Sequence, residues 1–190
     1  MFDHTLSVSR HRGRLLVVAG LAAATLGFLA LGPLSAADAD TVAIQKAVTG
    51  GLSAERRLPL AVAQAAGRGG DALKTAVDRA NSELAAFYAG DVLAREMGFI
   101  QSATQQTAGP NDRITFSAPR FEPIRITGDT AAVTARVTGS ATSSQVGPDG
   151  KRTSVDTPQQ TFIYSLVLTR QSGRWLITGE SGTFAPGDEP

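Results

Sequence analysis

The chain has 190 residues with 18 Lys plus Arg against 17 Asp plus Glu, no cysteine, and two histidines, His4 and His11, both ahead of the first apolar run. Everything after that run lacks imidazole and thiol, which excludes disulfide staples and the His- or Cys-based forms of metal binding and nucleophilic catalysis from the body of the chain. From Ala37 onward acids outnumber Lys plus Arg by one, so the clustered positive field that nucleic-acid binding demands is missing too.

The first element is a basic head, Arg10, Arg12 and Arg14, leading into Leu15 to Leu31, which is apolar apart from Thr25. A secretory h-region spans about 7 to 15 residues and a membrane-spanning helix about 17 to 25, so the run falls between a signal peptide and an anchor. Gly32 and Pro33 then break the helix, and Leu34-Ser35-Ala36-Ala37 puts small residues where a signal peptidase needs them. Cleavage near Ala36 is favoured over a retained anchor, and in either case the three arginines keep the amino terminus on the cytoplasmic side. The expectation is an exported chain, either secreted or held on the extracytoplasmic face of the cytoplasmic membrane through residues 15–31.

After this leader of residues 1–36, Thr41 to Val48 has a helical pattern that Gly50-Gly51 is expected to interrupt, and Pro59 suggests a fresh helix start before Ala66. Residues 37–70 therefore read as a helical linker region. Gly67-Arg68-Gly69-Gly70 has a glycine spacing without the preceding strand or the full fingerprint of a phosphate loop. Asp71 is placed as an N-cap, with Leu73, Val77, Leu84 and Phe87 recurring at helical spacing behind it. Ala89-Gly90 ends that helix, Asp91 is expected to cap the next, and Val92, Leu93, Met97 and Ile100 give it an apolar face.

From Ile114 the apolar period changes from 3.6 to 2. Val133, Ala135 and Val137 share one face of a strand, Phe162, Tyr164, Leu166 and Leu168 one face of another, and Trp175 and Ile177 head a third. Gly128-Asp129 and Gln171-Ser172-Gly173 are links short enough for hairpins, so the sheet should be an antiparallel meander. The apolar parity slips between Phe121 and Ile124, and Pro123 cannot donate to a ladder, which predicts a bulge there. Ser143 to Pro158 reads as a long polar excursion, and 185–190 as a frayed, disordered acidic tail.

An α+β chain of about three helices followed by a curved antiparallel sheet resembles the NTF2-like superfamily over roughly Asp71 to Thr183, the domain being placed at 71–184. Tyr164 to Arg170, the turn Gln171-Ser172-Gly173, and Arg174-Trp175-Leu176-Ile177 look like the final hairpin of many members, and Ile126 to Val133 resembles their penultimate one. The pattern is similar to two membrane-associated groups: the intermembrane-space domain of chloroplast-division proteins, through Phe87-Tyr88-Ala89-Gly90-Asp91-Val92-Leu93, and the membrane proteins of mammalian-cell-entry transport operons. Both resemblances imply a non-catalytic assembly module with a protein partner, a homodimer being admitted.

The same superfamily also houses enzymes and ligand-binding members that use the cone between helices and sheet. Without histidine, Tyr88 and Tyr164 are the available oxyanion donors, and Asp91 or Glu180 the available base. Tyr88 otherwise reads as a rim residue, Tyr164 as core, Asp91 as a cap and Glu180 as a solvated strand-end charge. Tyr88, Tyr164, Trp175, Phe87 and Phe162 are the candidate pocket residues for a small apolar ligand. No catalytic set, metal site or cofactor is expected, and Arg56-Arg57 and Lys151-Arg152 read as solvated surface. A crowded cone would favour the interaction module, whereas a buried carboxylate facing a tyrosine hydroxyl inside it would revive the enzyme.

Overall fold

A computed structural model describes residues 36–106, 108–109, 111–146 and 151–189. Helix α1 (Ala36–Ala66) is followed by α2 (Gly70–Leu84), α3 (Gly90–Ala103), and seven strands: β1 (Arg113–Phe116), β2 (Arg120–Phe121), β3 (Arg125–Thr127), β4 (Thr130–Val146), β5 (Arg152–Asp156), β6 (Gln160–Gln171) and β7 (Arg174–Phe184). The basic head and the apolar run Leu15–Leu31 lie outside the described residues. Among the described residues no helix is long and apolar enough to cross a membrane.

The 31-residue α1 is one helix where the sequence suggests two. Two interior glycines cost about 1 kcal/mol each and Pro59 about 3 kcal/mol. Against that, Ile44, Val48, Leu52, Leu58 and Val62 form a stripe no more than 3% exposed, and burying each contributes roughly 1.5–3 kcal/mol. Burial outweighs the breakers, and Gly50-Gly51 becomes a packing device instead of an interruption. A Cβ at Gly50 would lie 2.3 Å from Cε1 of Phe87, and one at Gly51 would lie 2.7 Å from Cδ1 of Ile177 and 3.3 Å from the Tyr88 hydroxyl. The stripe belongs to the same core as Leu84, Ile100, Val133, Leu166 and Ile177. Residues 36–66 are thus a structural helix of the domain and not a linker to it.

Helix α2 begins at Gly70 with Gly69 at its N-cap, and α3 begins at Gly90 with Ala89 at its N-cap; neither cap is a side-chain hydrogen bond. Asp71 and Asp91 sit inside the first turns, where a carboxylate meets the positive end of the helix dipole without capping it. Between the helices Phe87 and Tyr88 leave helical geometry and lie beside β7. The Ala89 amide donates to the Ile177 carbonyl (3.0 Å) and the Ile177 amide to the Phe87 carbonyl (2.8 Å).

The sheet is organised around the 17-residue β4. One flank pairs with β3, β2 and β1 in turn, β5 and β6 also pair with β4, and β7 follows β6, all antiparallel. Both predicted hairpins are present, with Gly128 at φ 58°, Ser172 at φ 49° and Gly173 at φ 77°, as tight turns between right-twisted strands require. The expected bulge is there as well: Phe121 pairs with Ala135 but Arg125 with Ala132, so one residue around Pro123 has no partner. Where it is described, the region 143–158 is strand and not an excursion. Ser143 to Val146 continue β4 and pair with Arg152 to Val155 of β5, and the Thr142 hydroxyl donates to Asp156 at 2.6 Å. The tail also folds back, its Asp188 carboxylate accepting the Thr161 amide at 2.8 Å and its carbonyl accepting the Gln160 side-chain amide at 3.1 Å.

Three helices on an unclosed, curved antiparallel sheet is the NTF2-like layout, and α1 extends it beyond the span suggested by the sequence resemblance.

Candidate functional site

The inside of the cone holds three carboxyl groups from three elements. Glu55 lies on the buried stripe of α1, three residues after Leu52 and three before Leu58. Glu96 sits between Val92 and Ile100 at i±4 on α3, and is 2% exposed. Glu180 comes from β7, paired with Leu166 and so on the inner face, its side chain 4% exposed.

A bulge puts Glu180 there. Leu168 pairs with Ile177 but Val167 with Gly179, leaving Thr178 over. That extra residue flips the parity, so that Ile177 and Glu180 face the same side. Uninterrupted alternation from Trp175 and Ile177 would send Glu180 to solvent, which is why the sequence suggests a solvated charge.

One cation serves two of these acids. Arg95 reaches Glu96 at 2.9 Å and Glu180 at 3.1 Å. Among the described residues Glu55 makes no ion pair, although the neighbouring Arg56 favours its charged form, and the Tyr88 hydroxyl donates to its Oε2 at 3.4 Å. Pro59, lacking an N–H, also leaves the Glu55 carbonyl without its intrahelical donor.

Burial, reinforced by the charges of Glu180 and Glu96, pushes Glu55 up to about 8, where it hydrogen-bonds Glu180 as the protonated partner. Burial likewise raises Glu96 and Glu180, with Arg95 opposing. Glu55 is thus the carboxyl of the cluster that holds a proton most readily, with Arg95 beside Glu96 and Glu180. Among the described residues no group of His, Cys, Asp and Glu is arranged to hold a metal ion.

Two tyrosines flank the cluster. Tyr88 is 1% exposed, so it is core and not rim, and desolvation drives its hydroxyl far above the usual range. Tyr164 is 6% exposed and pushed up to about 12 by burial. Its oxygen accepts from Nη2 of Arg56, whose guanidinium lies 4.6 Å from the Phe162 ring centroid and 5.5 Å from that of Tyr164. Arg56 is therefore half-buried and stacked, whereas Arg57 is surface and pairs with Glu83.

The remaining pocket candidates are packed too. Trp175 is 5% exposed, its Nε1 donating to Asp40 at 3.3 Å while Arg170 covers the ring at 4.7 Å and pairs with the same carboxylate. Phe162 sits under Phe184 with centroids 4.5 Å apart. Phe87 lines an open groove, on the other side of α1 from the acids.

Asp91 lies exposed in the first turn of α3 and Glu180 joins the interior; the sequence offers none of Glu55, Glu96, Arg95 and Arg56 as a site residue. A charged residue on an apolar stripe was the available signal: Val92, Glu96, Ile100 is an i, i+4, i+8 row, and Glu55 occupies a core position of α1.

No protein-family model matches the sequence, and neither does any curated protein. Among solved structures, the intermembrane space region of the chloroplast protein ARC6 is similar at 14% identity and TM-score 0.44, over 81% of this chain and all of that one. A hexachlorocyclohexane dehydrochlorinase (LinA) type 2 follows at 15% and 0.42, over 77% and 88% of the two chains. A protein with a cystatin-like fold from Caulobacter vibrioides stands at 15% and 0.41, over 78% and 91%. Likeness at this level concerns fold and carries nothing about activity.

Proposed function

We propose that the chain is an exported module, tethered or released, that works by protein contact and not by chemistry inside its cone. The observation behind this reading is the filled interior: Tyr88, Tyr164 and Trp175 are 1%, 6% and 5% exposed, and their polar atoms are engaged by Glu55, Arg56 and Asp40. A site that must admit a ligand needs apolar walls open to it, and these walls touch each other. Export is supported by Arg10, Arg12 and Arg14 ahead of Leu15–Leu31 and by the small residues at Ser35-Ala36-Ala37.

The surface offered for contact is the sheet face turned away from the helices. Ala132, Thr134, Ser165, Val167 and Ser181 line a shallow groove of about 620 Å3 there, and Val167 is 43% exposed.

The test is affinity capture of the full-length protein from its native membranes, with mass spectrometry of partners and of the mature amino terminus, for wild type, Val167→Lys and Glu55→Gln. The reading expects a reproducible partner that survives Glu55→Gln and is lost in Val167→Lys. Absence of any partner in all three would refute it.

One observation favours a second reading, proton transfer: a carboxyl poised near 8 with a tyrosine hydroxyl on it is the pairing an acid–base site uses. That reading requires Glu55→Gln and Tyr88→Phe to abolish the biological activity while fold and partner capture stay intact.

A further inference from the structure

The outer side of α1 carries a second feature, separate from the acid cluster. Gln45, Lys46, Thr49 and Gly50 of α1 face Phe87, Ala118, Pro119 and Phe121 across a groove of about 540 Å3. A smaller recess of about 130 Å3 under Leu52, Phe116 and Val137 shares Thr49, Ala118 and Pro119 with it, so the two form one trough along the helix. The combined space falls within the roughly 300–1,000 Å3 of ordinary ligand sites.

Its walls are apolar and aromatic. Phe87, Phe116 and Phe121 are each only half-buried, resting on the core from outside, and Phe87 lies so close to Gly50 that any side chain there would displace the ring. Three phenylalanines and a proline facing a helix with no side chain at its centre make a slot for an extended hydrocarbon.

The rim carries one cation, Lys46, which is exposed and has no carboxylate partner among the described residues. Arg113, Arg120 and Arg125 pair with Thr142, Arg136 and Ala132 and so belong to the outer face of the sheet, away from the trough. Lys46 attracts negative charge to the mouth of an apolar slot.

We infer that this trough binds an anionic amphiphile, with its hydrocarbon along Phe87, Pro119 and Phe121 and its charged head at Lys46. The site goes beyond the contact role proposed above and does not depend on it. A free fatty acid and an anionic membrane lipid share this chemistry.

The experiment uses full-length protein in phosphatidylcholine nanodiscs, photolabelled with diazirine-bearing C12 probes that differ only in the head: carboxylate, alcohol or quaternary ammonium. Peptide mapping is expected to place carboxylate labelling on the segments holding Phe87 and Pro119 to Phe121, ahead of the ammonium probe by about fivefold or more, the scale of one charge-assisted contact. Lys46→Glu should reverse that preference, Lys46→Arg should restore it, and Thr49→Trp should block labelling by filling the trough.

A parallel arm replaces the free probe with a diazirine phosphatidylglycerol in the disc. Labelling of the trough in that arm assigns the source to the membrane, and labelling only by the free carboxylate assigns a soluble amphiphile; either supports the site. Equal labelling by all three heads, labelling spread over the chain, or none at all would overturn it. Because Lys46 and Thr49 are exposed on α1, these variants leave the core untouched.

Discussion

Helix α1 carries two acids that meet the sheet, and the two contacts have opposite electrostatics. Near its start Asp40 faces one guanidinium, Arg170, and one indole N–H; hydrogen bonding to Arg170 lowers its pKa, and the carboxylate stays charged. Fifteen residues on, Glu55 enters a group of three carboxyls in which Arg95 pairs with the other two, and it is pushed up to about 8. The same functional group, on the same helix, is an ion at one end and an acid at the other. What separates them is the ratio of cations to carboxylates and the access of water. The first contact is a balanced surface clasp, whereas the second is a core contact that closes only by holding a proton.

The largest effect should follow removal of the shared cation. Arg95→Ala leaves Glu96, 2% exposed, and Glu180 without a counter-charge, and breaking a buried pair costs about 3–5 kcal/mol. Arg95 is itself 43% exposed, so about 2 kcal/mol at pH 8 is expected by urea unfolding. The loss should shrink at pH 5 as the carboxyls take up protons.

Comparable in size is the pH dependence. The folded pKa of Glu55 lies above its unfolded value of 4.5, so its favourable contribution is complete below about 4.5 and is lost as pH rises through about 8. Unfolding free energy should therefore fall between pH 5 and pH 9, by on the order of a few kcal/mol. Glu55→Gln keeps the neutral shape and should flatten that slope, leaving the variant more stable than wild type at pH 9. A slope of the same size in the variant would assign the effect elsewhere.

Asp40→Asn should have the smallest effect and the opposite pH sense. A carboxyl with a lowered folded pKa contributes stability above its unfolded value and loses it as pH falls. Trp175 reports the change directly, because the clasp engages its Nε1. The variant should shift Trp175 fluorescence at neutral pH and lack the acid-induced shift expected of wild type as Asp40 takes up its proton.

The contrast between these regions also explains what could be read from the chain. The core strands β4, β6 and β7, both hairpins and the Pro123 bulge follow from local signals, namely period-2 alternation, glycines at φ > 0 and a proline that cannot donate, whereas the polar end of β4 and β5 do not. The continuity of α1 does not, because Gly50, Gly51 and Pro59 are local breakers that tertiary burial overrides.

The acid cluster was hidden for a related reason. Glu180 points inward only because Thr178 bulges out of the β6–β7 ladder, and Gly179 is the one local sign of that slip in the run Trp175 to Glu180. Glu55 and Glu96 were visible as charges on apolar stripes, a pattern that periodicity counting passes over when it asks only where the apolar residues lie.

The filled interior is tested most directly by a 13C-carboxyl NMR titration of the glutamates, with Glu55→Gln used to assign the resonance. A half-buried carboxyl packed beside Tyr88, Glu96 and Glu180 should titrate with an apparent midpoint near 8 that belongs to the Glu55–Glu180 pair. A midpoint near 4.5 would mean a solvated carboxyl in an open cone, and would contradict the filled interior on which the contact role rests.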